Sequence, residues 1–299
     1  MDRAFAPLGS QISSVNYPRT YLETVLPIPC HSHNDYWRKR PLWSALATGC
    51  ISVEADVWLV DGEIYVGHSR LELREDRTLA EMYINPLIDI LGQRNQSVGM
   101  ATVLERDPRP FSLGIFPQDP QQSLVLLVDF KTEGRALWAA VEKALQPLRE
   151  REWLTVWDGQ SRVEGPVTVV ASGNAPFDVI VSNTEYRDIF YDAPLEALEA
   201  SEDKTKNTFK YNQSNSYYAS AGMLQSFGPV IMNTLRNSQI ELVRGQIKQA
   251  RLRGLVPRYW GTPRWPRRLR DSIWKILFKE GTGVLNVDDL RAVRKDTWG

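Results

Sequence analysis

Cysteine is scarce in this chain of 299 residues, with Cys30 and Cys50 the only two. Two are too few for a disulfide scaffold and they lack C-x-x-C spacing, so they read as reduced residues in or near the core. Charge of one sign is not in excess either. Lys plus Arg and Asp plus Glu stand at 36 each, which excludes a global field toward nucleic acid or acidic membranes. No run approaches the roughly 20 apolar residues that span a bilayer. The opening "MDRAFAPLGSQISSV" has neither a basic n-region nor an apolar h-region. These absences predict a soluble, cytoplasmic chain with no transmembrane segment and no nucleic-acid partner; they do not bear on oligomeric state. Histidine is also rare, and all three, His31, His33 and His68, fall in the first quarter.

The composition that remains is globular, 42% hydrophobic and 24% charged. Short β-like runs alternate with longer helical ones, the signature of an α/β protein with a parallel sheet. The strand candidates are "TVLPIPC", "CISVEADVWL", "EIYVGH", "SLVLLVDFK", "PVTVVAS", "FDVIVSN", "LVPRYW" and "GVLNVD". Helical candidates between them are "PLWSALATG", "TLAEMYINPLIDILGQ", "GRALWAAVEKALQPLRERE", "NTLRNSQIELVRGQIKQARLRG" and "RLRDSIWKILFKEG". This count predicts a TIM (β/α)8 barrel, with a doubly wound sheet as the alternative. A single domain is expected, its core over about 25–292 and an N-terminal extension over 1–24. Residues 99–121 and 186–218 interrupt the alternation and read as long loops.

In "ISVEADVWL", Glu54 and Asp56 stand two apart on a strand, so both leave one face. Burying two like charges among Val and Ile costs several kcal/mol each unless a cation compensates. "LVLLVDFK" repeats the device with Asp129 and Lys131, at the C-terminal end of an apolar strand, where barrel enzymes keep their active residues. Three carboxylates and one ammonium leave a net charge of minus two, suited to one divalent cation. Oxygen ligation favours Mg²⁺ or Ca²⁺. His31 follows "VLPIPC" and His68 ends "GEIYVGH", so two imidazoles at strand ends could serve as general base and general acid.

The succession "CHSHND", "ATGCISVEADVWLVDGEIYVGHS", "LVLLVDFK" and "GVLNVDD" resembles the PI-PLC-like phosphodiesterase superfamily, which includes glycerophosphodiester phosphodiesterases and sphingomyelinase D-like enzymes. The H-S-H-N-D-Y-W-R version is most similar to the fungal branch called altered inheritance of mitochondria protein 6. The resemblance implies a metal-dependent phosphodiesterase on a TIM barrel, acting on a small-molecule or lipid phosphodiester such as a glycerophosphodiester or lysophospholipid. It also implies Mg²⁺, or alternatively Ca²⁺, held by Glu54, Asp56 and Asp129. His68 matches the second catalytic histidine, after the Asp61-Gly62 hairpin, and Lys131 the lysine after the third carboxylate. The first catalytic histidine is His31, favoured by its H-x-x-N spacing to Asn34, or else His33. Asn34, Arg38 and Trp260 are expected near substrate, whereas Asp288 and Asp289 are expected to be structural.

Two other readings compete. The same barrel could serve a non-hydrolytic lyase or cyclase step, or ligand binding, since a fold hosts many reactions. An H-x-H after strand one also opens amidohydrolase-like metal hydrolases. Those need further histidines on later strands, and none follows residue 68.

Overall fold

The computed structural model describes residues 21–96, 112–199, 202–203, 208–230 and 234–295. Eight parallel strands form the centre: β1 (Ile28–Ser32), β2 (Cys50–Val60), β3 (Leu124–Phe130), β4 (Val167–Gly173), β5 (Ile189–Pro194), β6 (Ser216–Gly222), β7 (Val256–Trp260) and β8 (Val284–Val287). Each pairs with its neighbour in sequence, and β1 pairs with both β2 and β8, which closes the sheet into a TIM barrel. Helices follow the strands on the outside, among them α1 (Trp43–Thr48), α2 (Asn85–Asn95), α3 (Gly134–Ala144), α4 (Met223–Phe227), α5 (Asn237–Leu252), α6 (Arg267–Glu280) and α7 (Leu290–Lys295).

Strand alternation divides the barrel into two apolar layers and a polar mouth. Leu124, Leu126 and Val128 of β3 join the large core between sheet and helices, while Val125 and Leu127 join a small separate cluster with Val170, Tyr218 and Val284. The second set lines the barrel interior, and Asp129 is the next residue in its series. On β2, Val53, Ala55 and Val57 likewise go to the outer core. Ser52, Glu54 and Asp56 therefore face inward. The barrel interior is thus hydrocarbon in its middle layer, with the hydroxyls of Ser123 and Thr168 below it, and turns ionic toward the C-terminal strand ends.

Strand β2 runs on beyond the barrel and folds back through Asp61 and Gly62, both at positive φ (50° and 85°), into an antiparallel strand at Glu63–Val66. A two-residue turn with both central residues left-handed matches the twist of such a hairpin. It returns His68 to the mouth beside Asp56.

Three expectations need correction. "EIYVGH" is the hairpin strand and not a barrel strand, and "FDVIVSN" holds a short helix, Phe177–Ile180. The barrel takes instead "IFYDAP", inside the segment expected to be a long loop, and "SYYASAG", which begins in its last three residues. Of the loop expected over 99–121, residues 99–111 lie outside the described residues. Finally, Cys30 and Cys50 are not reduced: they form a disulfide with Cα atoms 4.7 Å apart. The two lie on β1 and β2, which are paired neighbours, so a spacing without any motif becomes contact in the sheet.

Candidate active site

The register of β2 and β3 places Asp56 directly opposite Asp129, with Glu54 one inward position below. One oxygen from each carboxylate lies within 4.8 Å of the others. Lys131 follows Asp129, and its Nζ donates to Asp56 Oδ2 at 3.0 Å and also to Asp129 Oδ2. The adjoining end of β4 must be glycine. Gly173 has φ +64°, and a Cβ there would stand 2.0 Å from Asp129 Oδ1. The absent side chain is what lets Asp129 lie against the strand end.

Crowding of buried carboxylates governs the electrostatics. Burial and then the Glu54 charge push Asp56 up to about 6, against the pull of Lys131. Burial also opposes ionisation of Glu54, but the His31 hydrogen bond and the His33, His31 and Arg258 charges outweigh it and hold Glu54 below the carboxylate range. Asp56 Oδ1 is buried and has no hydrogen-bond partner in the protein. An orphaned carboxylate oxygen in such a place is costly unless a cation meets it.

The three histidines differ in what their rings can still do. His31 is fully buried: Nδ1 lies 2.6 Å from Ser52 Oγ, and Nε2 lies 3.0 Å from both Glu54 Oε2 and Arg258 Nη1. Burial and the Arg258 charge push it down to about 4. A neutral ring carries a single N–H: either Nδ1 donates to Ser52 and Nε2 accepts from Arg258, or Ser52 donates to Nδ1 and Nε2 donates to Glu54.

His33 is partly open, its side chain 22% exposed. Nδ1 meets Asp288 Oδ1 at 2.8 Å and Nε2 lies 3.9 Å from Glu54 Oε2. Burial opposes its charge, but the Asp288 hydrogen bond and the Glu54 and Asp288 charges prevail and raise it above the ordinary imidazole value. His68 sits across the carboxylates, half exposed, with Nδ1 3.3 Å from Asp56 Oδ2 and its ring tilted over Trp37 at 4.9 Å between centroids.

The sequence reading missed several of these contacts. Tyr36, fully buried, brings its hydroxyl to 2.8 Å from Asp56 Oδ2, 2.7 Å from Asn34 Oδ1 and 3.3 Å from His68 Nδ1. Arg258 ties His31 to Asn286 Oδ1 (2.9 Å), Ser220 Oγ (2.9 Å) and Asp192 Oδ2 (3.2 Å). A signal for Arg258 existed: a charged residue inside "LVPRYW" has to be paired if buried.

Asp288, expected to be structural, stands against His33. Asp289 does carry a structural load: it binds Arg270 and accepts from the N–H groups of Arg291 and Ala292 at the start of α7. Arg38, expected near substrate, donates to Ser32 Oγ and to the carbonyls of His33, Val287 and Asp288, which ties the β1 loop to β8. Asn34 is buried at φ 47° and its side-chain oxygen serves Tyr36. Trp260 reaches the mouth at the end of β7, 39% exposed.

Comparison with known proteins bears on this arrangement. "Altered inheritance of mitochondria protein 6 homolog" of Arthroderma benhamiae is 38% identical over 288 residues, covering 93% of this chain and 86% of that one. The proteins named "Altered inheritance of mitochondria protein 6" in Eremothecium gossypii and Saccharomyces cerevisiae are 35% and 31% identical, covering 89% and 95% of this chain and 68% and 73% of theirs. A distant structural likeness, TM-score 0.40 at 10% identity over 93% of this chain and 94% of the other, is to the phosphatidylinositol-specific phospholipase C of Listeria monocytogenes. The AIM6-like phosphodiesterase domain matches residues 19–192, more than half of the chain. The chain therefore belongs to the AIM6-like phosphodiesterase family.

Proposed function

We propose that this barrel is a divalent-cation-dependent phosphodiesterase working by histidine acid–base catalysis. The observation that carries the reading is the carboxylate trio Glu54, Asp56 and Asp129, with Asp56 Oδ1 buried and unpartnered, and with one imidazole beside Glu54 and another beside Asp56. The donor set is all oxygen, and with Lys131 its net charge is minus two, which fits Mg²⁺ or Ca²⁺. Bound there, the ion would supply Lewis-acid stabilisation of charge on the phosphoryl oxygens.

His33 is the better candidate than His31 for the base. Both ring nitrogens of His31 are engaged in the interior, whereas His33 has Nδ1 oriented by Asp288 and Nε2 turned toward the carboxylates. The nucleophilic hydroxyl, of water or of the substrate itself, gives its proton to His33 Nε2 as its oxygen bonds to phosphorus. His68 protonates the leaving alkoxide as the other P–O bond breaks. Lys131 offsets the charge of Asp56 and Asp129, Tyr36 holds Asp56 beside His68, and Trp260 flanks the entrance. Arg38 and Asn34 shape the β1 loop rather than contact substrate. Attack by water yields a monoester, and attack by an internal hydroxyl yields a cyclic phosphate, which is the lyase form of the same chemistry.

Phosphorus NMR of products from a panel of glycerophosphodiesters and lysophospholipids, with Mg²⁺ or Ca²⁺, distinguishes these two outcomes. Absence of turnover across the panel by cation-loaded protein would refute the phosphodiesterase reading. The amidohydrolase-like reading needs His31 and His33 on the metal. Among the described residues the group with metal-holding geometry consists of the three carboxylates.

A further inference from the structure

Five large hydrophobic side chains stand out into solvent on strand ends, short helical turns and loops around the mouth: Trp37 at 47% exposure, Leu71 at 99%, Leu224 at 64%, Trp260 at 39% and Trp265 at 78%. They form one arc. Trp37 Nε1 donates to Glu72, the neighbour of Leu71. Arg38 and Arg264, the neighbours of Trp37 and Trp265, meet at Asp288. Trp260 borders Gly222, which opens α4 and thus Leu224. The arc spans the ends of the hairpin, β1, β8, β7 and β6, which are consecutive around the barrel apart from β2.

Its positive charge is concentrated in the two tryptophan segments, although the chain as a whole is neutral; the Leu71 turn, 70–76 (RLELRED), carries two cations and three acids, and Arg264 is paired with Asp288. Residues 37–40 (WRKR) and 264–268 (RWPRR) carry six cations and no acid, and of these Lys39, Arg40, Arg264, Arg267 and Arg268 are exposed. Exposed tryptophan and leucine set among arginines match the headgroup boundary of a bilayer, where the ring or chain enters the acyl edge and the cation meets anionic lipid. A nucleic-acid strand would satisfy the cations but leave a fully exposed Leu71 without purpose. Among the described residues no helix is long and apolar enough to cross a membrane, so attachment of this kind would be peripheral.

We propose that the rim formed by Trp37–Arg40, Leu71, Leu224 and Arg264–Arg268 docks the mouth of the barrel onto an anionic membrane surface. The docking shares the mouth with the proposed chemistry but does not require turnover, so it is tested without a substrate.

The test is sedimentation of the purified chain with vesicles in EDTA, comparing phosphatidylcholine alone with phosphatidylcholine containing about 30% phosphatidylserine, a composition rich enough in anionic lipid to hold basic segments. Binding is expected to the anionic vesicles, with tryptophan emission quenched by brominated acyl chains. Arg267→Glu/Arg268→Glu should weaken it about tenfold or more. Acidic residues at the start of α6 favour the helix, so this variant is expected to fold. Trp265→Ala/Leu71→Ser should weaken binding about tenfold through lost apolar burial. Equal partitioning into both vesicle types, or absence of bromine quenching, overturns the proposal. So does a single-stranded oligonucleotide bound as tightly as the vesicles and indifferent to the Trp265/Leu71 change, because that result describes a polyanion site.

Discussion

At the scale of single residues, the two histidines of "HSH" are separated by one serine, yet their chemistry is opposite. His31, still on β1, points into the closed interior under Arg258, and His33, in the turn just beyond the strand, stands at the open edge beside Asp288. For His33 the folded value is raised, so its pairing contributes stability fully present below the unfolded value of about 6.5 and lost as pH rises through the folded one. Asp288 is lowered; burial opposes this, but the His33 hydrogen bond and charge and then Arg264 outweigh it. Its contribution is present above about 3.9 and lost as pH falls through the folded value. The pair therefore stabilises most between about pH 4 and 6.5. NMR titration of metal-free protein should show His33 titrating above about 6.5 and His31 neutral throughout the range from about pH 5 to 8. Asp288→Asn should lower the His33 value. A His31 that titrates near neutrality would reverse the assignment. In turnover, His33→Ala should cost about 10²–10⁴ in kcat, the range for loss of a general base. His31→Gln should act chiefly through weaker metal affinity, read by calorimetry. The H-x-x-N spacing favours His31 through the family resemblance alone, whereas the difference in burial between the two rings, which spacing does not report, favours His33.

At the scale of elements, the sequence was most legible where apolar runs are long. "SLVLLVDFK" and "PVTVVAS" are strands β3 and β4 as read, and the E-x-D of β2 stands beside the D-x-K at the end of β3. Strands β5 and β6 escaped because "IFYDAP" breaks off into Asp and Pro and "SYYASAG" mixes its tyrosines with serine, alanine and glycine, so neither is a continuous apolar run; they are held by register with β4 and β7. "FDVIVSN" looked more like a strand than either. It follows Pro176, however, in the turn that must leave the barrel mouth, and four of its residues coil into a helix. Cys30 and Cys50 were misread for a related reason, since only strand pairing brings them together. Their bridge closes a loop with a sequence separation of 20, which in the chain-entropy description is worth about 3 kcal/mol. Urea unfolding with and without reductant should show a loss of that order, and thiol titration of the unreduced, unfolded chain should find no free cysteine. Two free thiols there would contradict the bridge. Gly173 permits a second element-scale test: Gly173→Ala should displace Asp129 and weaken cation binding at least severalfold, while the far-UV spectrum stays that of the barrel.

At the scale of the whole molecule, the barrel concentrates buried carboxylates at one end of a neutral chain, and that arrangement sets its dependence on pH and metal. Asp56 is pushed up to about 6, above an unfolded value of about 3.9. Between those values the folded state holds a proton that the unfolded chain has released, so stability of the metal-free protein falls as pH rises through this window. A divalent cation bound by Glu54, Asp56 and Asp129 reverses the trend by binding the ionised form. At a free concentration 100 times its Kd it adds about 2.7 kcal/mol, provided the unfolded chain does not bind it. The expected result is a thermal midpoint that rises with Mg²⁺ or Ca²⁺ at pH 7.5, rises much less at pH 5, and does not respond in Asp56→Asn. That variant should also be more stable than the wild type when both are metal-free at pH 7.5, because the amide removes the buried charge that Glu54 and Asp129 oppose. Tyr36 and Lys131 can still bond to its oxygen. A metal-free Asp56→Asn protein less stable than the wild type at that pH would mean that Lys131 already compensates the cluster, and the argument that its charge demands a cation would fail.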